Sequence, residues 1–229
     1  MAFCPLLLPT LKTEFTKGNM QYECFPLPPL GTNAYLVTSK ERKEAVLIDA
    51  PLAAAESILP RLERDGVKLL AVLLTHGHFD HILDVHLFNK AGIPVWAHEG
   101  DREWIENPRV QSTFVHESIE YHPGRVDRLI DAGETFDLLG VAWEARFVPG
   151  HAPGSLLFYI KAEGVAFPGD AIFAGSVGRT DLPGGDTAQL LASISSQIYT
   201  LPDDTVLLPG HGPETTVGRE KQTNPYARP

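Results

Sequence analysis

Four apolar runs in this chain are each followed within three residues by a histidine or an aspartate, and that recurrence limits the fold more than any other feature. Residues 69–74 (Leu-Leu-Ala-Val-Leu-Leu) lead straight into Thr75-His76-Gly77-His78-Phe79-Asp80-His81. Residues 145–148 lead through Pro149-Gly150 to His151, residues 165–167 through Pro168-Gly169 to Asp170, and residues 205–208 through Pro209-Gly210 to His211. A short continuous apolar run reads as a strand buried on both faces. The polar residues therefore sit just past core strands, where a rigid scaffold holds them stiffly and the adjacent glycines allow close backbone approach.

The chemistry of the set points to metal ions. His76, His78, Asp80, His81, His151, Asp170 and His211 offer imidazole nitrogen and carboxylate oxygen, which suit zinc, iron or manganese. No cysteine is among them, which argues against a closed structural zinc site. Gly77, between two histidines, lets the chain turn so that both rings can meet at one point. Asp80 and Asp170 would cancel part of the charge of divalent cations held among these residues. Such a site can supply hydroxide near neutral pH, since a metal-bound water can have a pKa of about 7. His86, His98, His116 and His122 read as surface or hydrogen-bonded residues, and Cys4 and Cys24 as thiols outside any disulfide framework.

With 229 residues and 43% hydrophobic content, the chain can bury the core of one large domain. The formal net charge of −10 argues against nucleic acid as the main partner. Residues 5–9 (Pro-Leu-Leu-Leu-Pro) are too short to span a membrane and no basic stretch precedes them, so a cytoplasmic location is expected. Residues 1–19 look unlike the rest and form an atypical N-terminal extension, with Met20 as an alternative start.

Residues 33–39 and 45–49 predict a strand pair joined by a polar turn. Residues 53–64 predict a helix with Ile58, Leu59 and Leu62 on one face, with Pro60 leaving its middle open. Ile82, Leu83, Val85, Leu87 and Phe88 predict a helix running from the histidine cluster to Ala91-Gly92-Ile93-Pro94. Residues 187–199 predict another, with Leu190, Leu191, Ile194 and Ile198 facing the core. Residues 99–135 are charged and weakly periodic, and read as a helical excursion and loop over the site. Periodicity alone gives a mixed α/β class.

His76, His78, Asp80 and His81 match the H-x-H-x-D-H motif of the metallo-beta-lactamase superfamily, and the resemblance extends through His151, Asp170 and His211, covering roughly residues 30 to 224. It implies an αββα sandwich, with residues 20–229 as a single domain. It also implies that His76, His78 and His151 hold a first metal ion, that Asp80, His81 and His211 hold a second, and that Asp170 bridges them. Asp80 and Asp170 would then be both ligands and catalytic groups. Within the superfamily, Gly169-Asp170-Ala171-Ile172-Phe173 and Gly178-Arg179-Thr180-Asp181 resemble the glyoxalase II branch and the persulfide dioxygenases, which act on glutathione derivatives.

The glyoxalase II resemblance implies hydrolysis of S-acyl glutathione thioesters such as S-lactoylglutathione by a metal-bound hydroxide. Two departures stand out. Glyoxalase II has Gly-Lys-Phe-Tyr where this chain has Gly178-Arg179-Thr180-Asp181, and Gly-His-Glu-Tyr where it has Gly210-His211-Gly212-Pro213, so both glutathione-contacting tyrosines are replaced. The layout resembles short bacterial glyoxalase II-like hydrolases. Arg179 is a candidate substrate-binding residue, as a carboxylate clamp, or else a partner of Asp181 or Asp186. The alternatives are a mononuclear iron persulfide dioxygenase using His76, His151 and Asp170, and a non-enzymatic metal-binding module. β-Lactam hydrolysis is less expected from the Gly-Arg-Thr-Asp segment.

Overall fold

The computed structural model describes residues 13–113, 115 and 119–229. Cys4, the 5–9 segment, His116 and most of the proposed extension lie outside them. Strands β1 (Thr13–Lys17), β2 (Met20–Leu27), β3 (Thr32–Ser39) and β4 (Glu44–Ile48) form an antiparallel meander. After helix α1 (Ala54–Asp65), strands β5 (Lys68–Leu73), β6 (Val95–Ala97) and β7 (Arg128–Leu129) add in parallel, giving a seven-stranded sheet in sequence order.

The second sheet starts with β8 (Thr135–Leu138), β9 (Val141–Phe147), β10 (Leu156–Ile160) and β11 (Val165–Gly169). A small hairpin of β12 (Ile172–Phe173) and β13 (Ser176–Val177) stands apart, and β14 (Val206–Pro209) and β15 (Thr215–Thr216) complete the sheet in the order β15-β14-β11-β10-β9-β8.

Side-chain alternation explains the layering. Along β3 and β4, Tyr35, Val37, Val46 and Ile48 point toward the second sheet, where they pack with Trp143, Phe158 and Phe167. Their neighbours Ala34, Leu36, Ala45 and Leu47 point the other way, onto Ala54, Ile58 and Leu62 of α1 and Phe88. In the second sheet, Leu156, Phe158 and Ile160 face inward while Leu157 and Tyr159 face outward, onto Leu190, Ile194 and Ile198. Each sheet thus buries both faces, one on the other sheet and one on helices, which is why its central strands carry apolar residues at nearly every position. The result is a four-layer αββα sandwich.

Two regions differ from expectation, and a third settles what the sequence left open. The helix expected after the histidine cluster is two short ones, α2 (Phe79–Ile82) and α3 (Val85–Lys90). The break falls at Asp84, whose carboxylate accepts from Ala55 N near the start of α1 (2.9 Å) while its own N–H bonds Ala50 O. Pro60 does not interrupt α1. It is exposed, so the carbonyl it fails to pair can be hydrated. The 99–135 region holds a 3-10 turn at Glu99–Asp101, helix α4 (Arg102–Glu106), a 3-10 stretch at Pro108–Thr113, and the unforeseen strand β7. Helix α5 (Thr187–Ser193) continues as a π turn over Ile194–Ile198, and α6 (Val217–Thr223) lies near the C-terminus. Among the described residues, no helix is long and apolar enough to cross a membrane.

Candidate metal centre

The two sheets end together, and each contributes part of the site. His76, His78, Asp80 and His81 follow β5 in the first sheet. His151 follows β9, Asp170 follows β11 and His211 follows β14, all in the second. Three groups form at metal-binding separations: His76, His78 and His151; His76, His81 and Asp170; and Asp80, His81 and His211. All seven residues singled out in the sequence are therefore brought together.

Within the cluster, His151 Nε2 lies 2.8 Å from His78 Nδ1 and 3.2 Å from His76 Nε2. Asp170 sits centrally, with carboxylate oxygens 3.5 Å from His81 Nε2, 3.7 Å from His151 Nε2 and 3.4 Å from His211 Nε2. Asp80 Oδ2 accepts from the Thr32 hydroxyl (2.7 Å) and lies 3.2 Å from His211 Nε2. His81 Nε2 and Asp170 Oδ1, 3.5 Å apart, are buried and lack any hydrogen-bond partner. Leaving such groups unsatisfied is costly, and a cation among them is the simplest remedy. The backbone makes room for it. A Cβ on Gly210 would stand 2.1 Å from Asp170 Oδ1 and 2.8 Å from His81 Cε1.

The ring orientations are set from behind. Asp49 follows the apolar end of β4 in a left-handed conformation (φ 61°), which aspartate tolerates better than most residues. Its carboxylate accepts from Thr75 N (2.7 Å), the Thr75 hydroxyl (2.8 Å) and His81 Nδ1 (2.8 Å). The Thr75 hydroxyl lies 3.0 Å from His76 Nδ1. A hydroxyl that donates to Asp49 can accept only from an Nδ1–H, so one carboxylate keeps the Nδ1 proton on both imidazoles, leaving Nε2 of each as the nitrogen that a cation would claim. His151 is held the same way, its Nδ1 donating to the backbone carbonyl of Arg179 (2.8 Å).

Electrostatics divide the cluster. Burial holds His76 and His151 below the usual histidine range and takes His78 down to about 3, so these rings stay neutral. For His81 burial works in the same direction, but the carboxylates of Asp80, Asp170 and Asp49 outweigh it and hold the ring well above that range. His211 is raised by Asp80 and Asp170, again against burial. Burial alone would lift Asp80 and Asp170. The nearby imidazoles overcome it, and both stay below the usual carboxylate range. The acidic pair therefore remains ionised, ready to balance cationic charge.

The cluster opens into a cleft of about 280 Å³, lined beside the ligands by Leu30, Phe79, Phe173, Leu182 and Arg179. The Arg179 guanidinium makes a two-pronged pair with Asp181, at 2.7 Å in both contacts, and is 61% exposed. His98 stacks on Phe147, the His86 and His122 rings meet at a tilt, and none of the three joins a metal-binding group.

Sequence reasoning missed the supporting residues. Asp49 carried a signal, since it too ends an apolar strand on a carboxylate. Thr32, Asp101 and Gln111 carried none, because their value lies in hydrogen bonds to residues far along the chain.

Residues 27–211 match the family model of the metallo-beta-lactamase superfamily. The chain is 36% identical over 211 residues to the hydroxyacylglutathione hydrolase GloC of Haemophilus influenzae, a match covering 90% of this chain and 98% of that protein. The BLEG-1 B3 metallo-beta-lactamase superposes with a TM-score of 0.81 at 39% identity, over 90% of this chain and 98% of that one. TTHA1623, solved in a di-iron-bound form, superposes at 0.77 with 38% identity, over 89% of this chain and 98% of its own. The family model spans most of the chain and each of these proteins is matched nearly end to end, so the chain belongs to the metallo-beta-lactamase superfamily of metallo-hydrolases.

Proposed function

We propose that this protein is a glyoxalase II-like thioesterase that hydrolyses S-acyl glutathione. The observation that carries the reading is the convergence of six ligand side chains about Asp170 at the wall of an open cleft. His76, His78 and His151 would hold one divalent ion, Asp80, His81 and His211 the other, and Asp170 both, with zinc, iron or manganese compatible with the donors. When bound, such ions make hydroxide available at neutral pH and polarise a carbonyl oxygen.

The chain's own groups do the rest. Asp80 and Asp170 remain ionised and offer acceptors that orient the attacking water. The apolar side chains of Leu30, Phe79, Phe173 and Leu182 shield the acyl group from bulk solvent. A thiol leaving group has a pKa of about 8.5, so it departs without a dedicated acid. Arg179 stands at the cleft to meet a glutathione carboxylate, in exchange for Asp181. The relationship to GloC, a hydroxyacylglutathione hydrolase, supports the thioester.

β-Lactam hydrolysis is a second reading, favoured by the 39% identity to BLEG-1. A persulfide dioxygenase is a third, for which iron in TTHA1623 is the relevant observation. Metal analysis combined with three assays separates them: thiol release from S-lactoylglutathione, turnover of a chromogenic cephalosporin, and oxygen uptake with glutathione persulfide. Chelator-sensitive thiol release without oxygen uptake is expected. Full activity with a single iron and oxygen consumption, or faster cephalosporin than thioester turnover, would overturn the reading.

A further inference from the structure

Asp101 is 1% exposed, yet neither of its carboxylate oxygens meets a cationic side chain. Both are taken by backbone N–H groups: Gly77 N donates to Oδ2 (2.8 Å) and Gly154 N to Oδ1 (2.7 Å). These two amides belong to different parts of the fold. Gly77 lies between His76 and His78 past the first sheet, and Gly154 lies three residues after His151 past the second. One buried carboxylate thus ties together the two loops that carry the three histidines. The glycines are needed for the approach. A Cβ on Gly77 would stand 2.8 Å from Asp101 Cβ, and one on Gly154 would stand 2.7 Å from Asp101 Cγ.

The same excursion grips the histidine loop twice more. Gln111, fully buried, accepts from Phe79 N (3.0 Å) and donates to Gly77 O (2.8 Å). Trp104 stacks on His78, with ring centroids 5.4 Å apart and planes 16° from parallel. The loop between β5 and α2 belongs to no sheet or helix, so these contacts replace the ladder that would otherwise hold its backbone.

We propose that Asp101, together with Gln111, is a positioning residue for the three-histidine subsite: it sets the separation of His76 and His78 from His151. The proposal rests on the reading of those three histidines as a metal subsite. Metal ligands tolerate deviations of only about 0.2 Å, and groups that orient them typically change affinity tenfold to hundredfold when removed. The Asp80, His81 and His211 subsite is supported by Thr32 and Asp49 instead. Loss of Asp101 should therefore weaken one ion selectively.

The test uses the full chain, stripped of metal and titrated with Zn²⁺ or Co²⁺ against a chromophoric chelator. Asp101→Asn keeps the side-chain size but turns an amide donor toward one of the two backbone donors. The wild type should bind two ions. Asp101→Asn should bind one with unchanged affinity and the other about tenfold to hundredfold more weakly. In a His211→Ala background, where the three-histidine subsite carries the tighter ion, adding Asp101→Asn should weaken that ion by the same factor. Gln111→Met should weaken the same ion as Asp101→Asn, by a smaller factor.

A merely structural residue would lower the melting temperature and leave the ratio of the two affinities alone. That outcome, in folded Asp101→Asn, overturns the proposal. If Asp101→Asn fails to fold, Gln111→Met decides, and an unchanged ratio there also overturns it. A wild type that binds no ion in the three-histidine subsite would sink the metal reading itself.

Discussion

Replacing Asp49 with asparagine should invert a hydrogen-bond relay that serves both halves of the site. In the wild type, Asp49 accepts from His81 Nδ1 and from the Thr75 hydroxyl, and that hydroxyl in turn accepts from His76 Nδ1. In Asp49→Asn the new side chain would keep one oxygen for Thr75 N, but its amide nitrogen donates where the second carboxylate oxygen accepted. His81 must then accept at Nδ1, and so must His76 once the Thr75 hydroxyl reverses. Each ring would carry its proton on Nε2, the atom that faces the metal position. Holding the metal-binding tautomer instead sets donor against donor in a buried place, at a cost of about 1–3 kcal/mol for each ring. That corresponds to about tenfold to hundredfold in affinity at each of the two subsites. Asparagine accepts the left-handed backbone of position 49, so the fold should survive. Chelator competition measures the affinities, and the ¹⁵N shifts of His76, neutral in the metal-free protein, report its tautomer. A flipped tautomer with unchanged affinities at both subsites would refute the reasoning, as would an unflipped one.

Asp170→Ala should weaken both ions, because its carboxylate reaches His81, His151 and His211 alike, and metal titration showing loss of one ion alone would exclude a shared ligand. Arg179→Ala should raise KM for S-lactoylglutathione about tenfold with kcat nearly unchanged. Asp181→Asn, which frees the guanidinium, should lower that KM about two- to fivefold, and neither change should affect a neutral thioester. Asp84 offers a pH-dependent test of stability. Burial pushes its carboxyl up to about 6 in spite of backbone N–H groups at the start of α1. The native state therefore holds a proton that the unfolded chain releases near pH 4, and the associated stability is present below pH 4 and lost as pH rises through 6. Asp84→Asn mimics the neutral form, so its advantage in denaturant unfolding should be small at pH 4, grow to about 3 kcal/mol by pH 7, and then stay level to pH 8.

What the chain reveals before folding depends on the range of each interaction. The core strands and the seven clustered histidines and aspartates were legible because burial on two faces writes a continuous apolar run, and the polar residue just past it stands out. The supports were not. Asp101 and Gln111 lie in a charged segment without clear period, and their partners are backbone atoms 24 and 34 positions away. The broken helix after His81 is similar, since Asp84 is drawn off by the start of α1. Strand β7 has only two residues and pairs through its main chain with β6, leaving no side-chain pattern to read. Leu190, Ile194 and Ile198 proved to be core as their spacing implied, and Leu191 packs at its margin.

Arg179 belongs to both halves of the mechanism through different atoms. Its carbonyl steadies His151, while its side chain faces the cleft and Asp181. Every residue type has that carbonyl. Exchange of the side chain can therefore retune which substrates are admitted without disturbing the histidine behind it. Selection can explore new substrates at this position one substitution at a time, with the histidine cluster intact at each step.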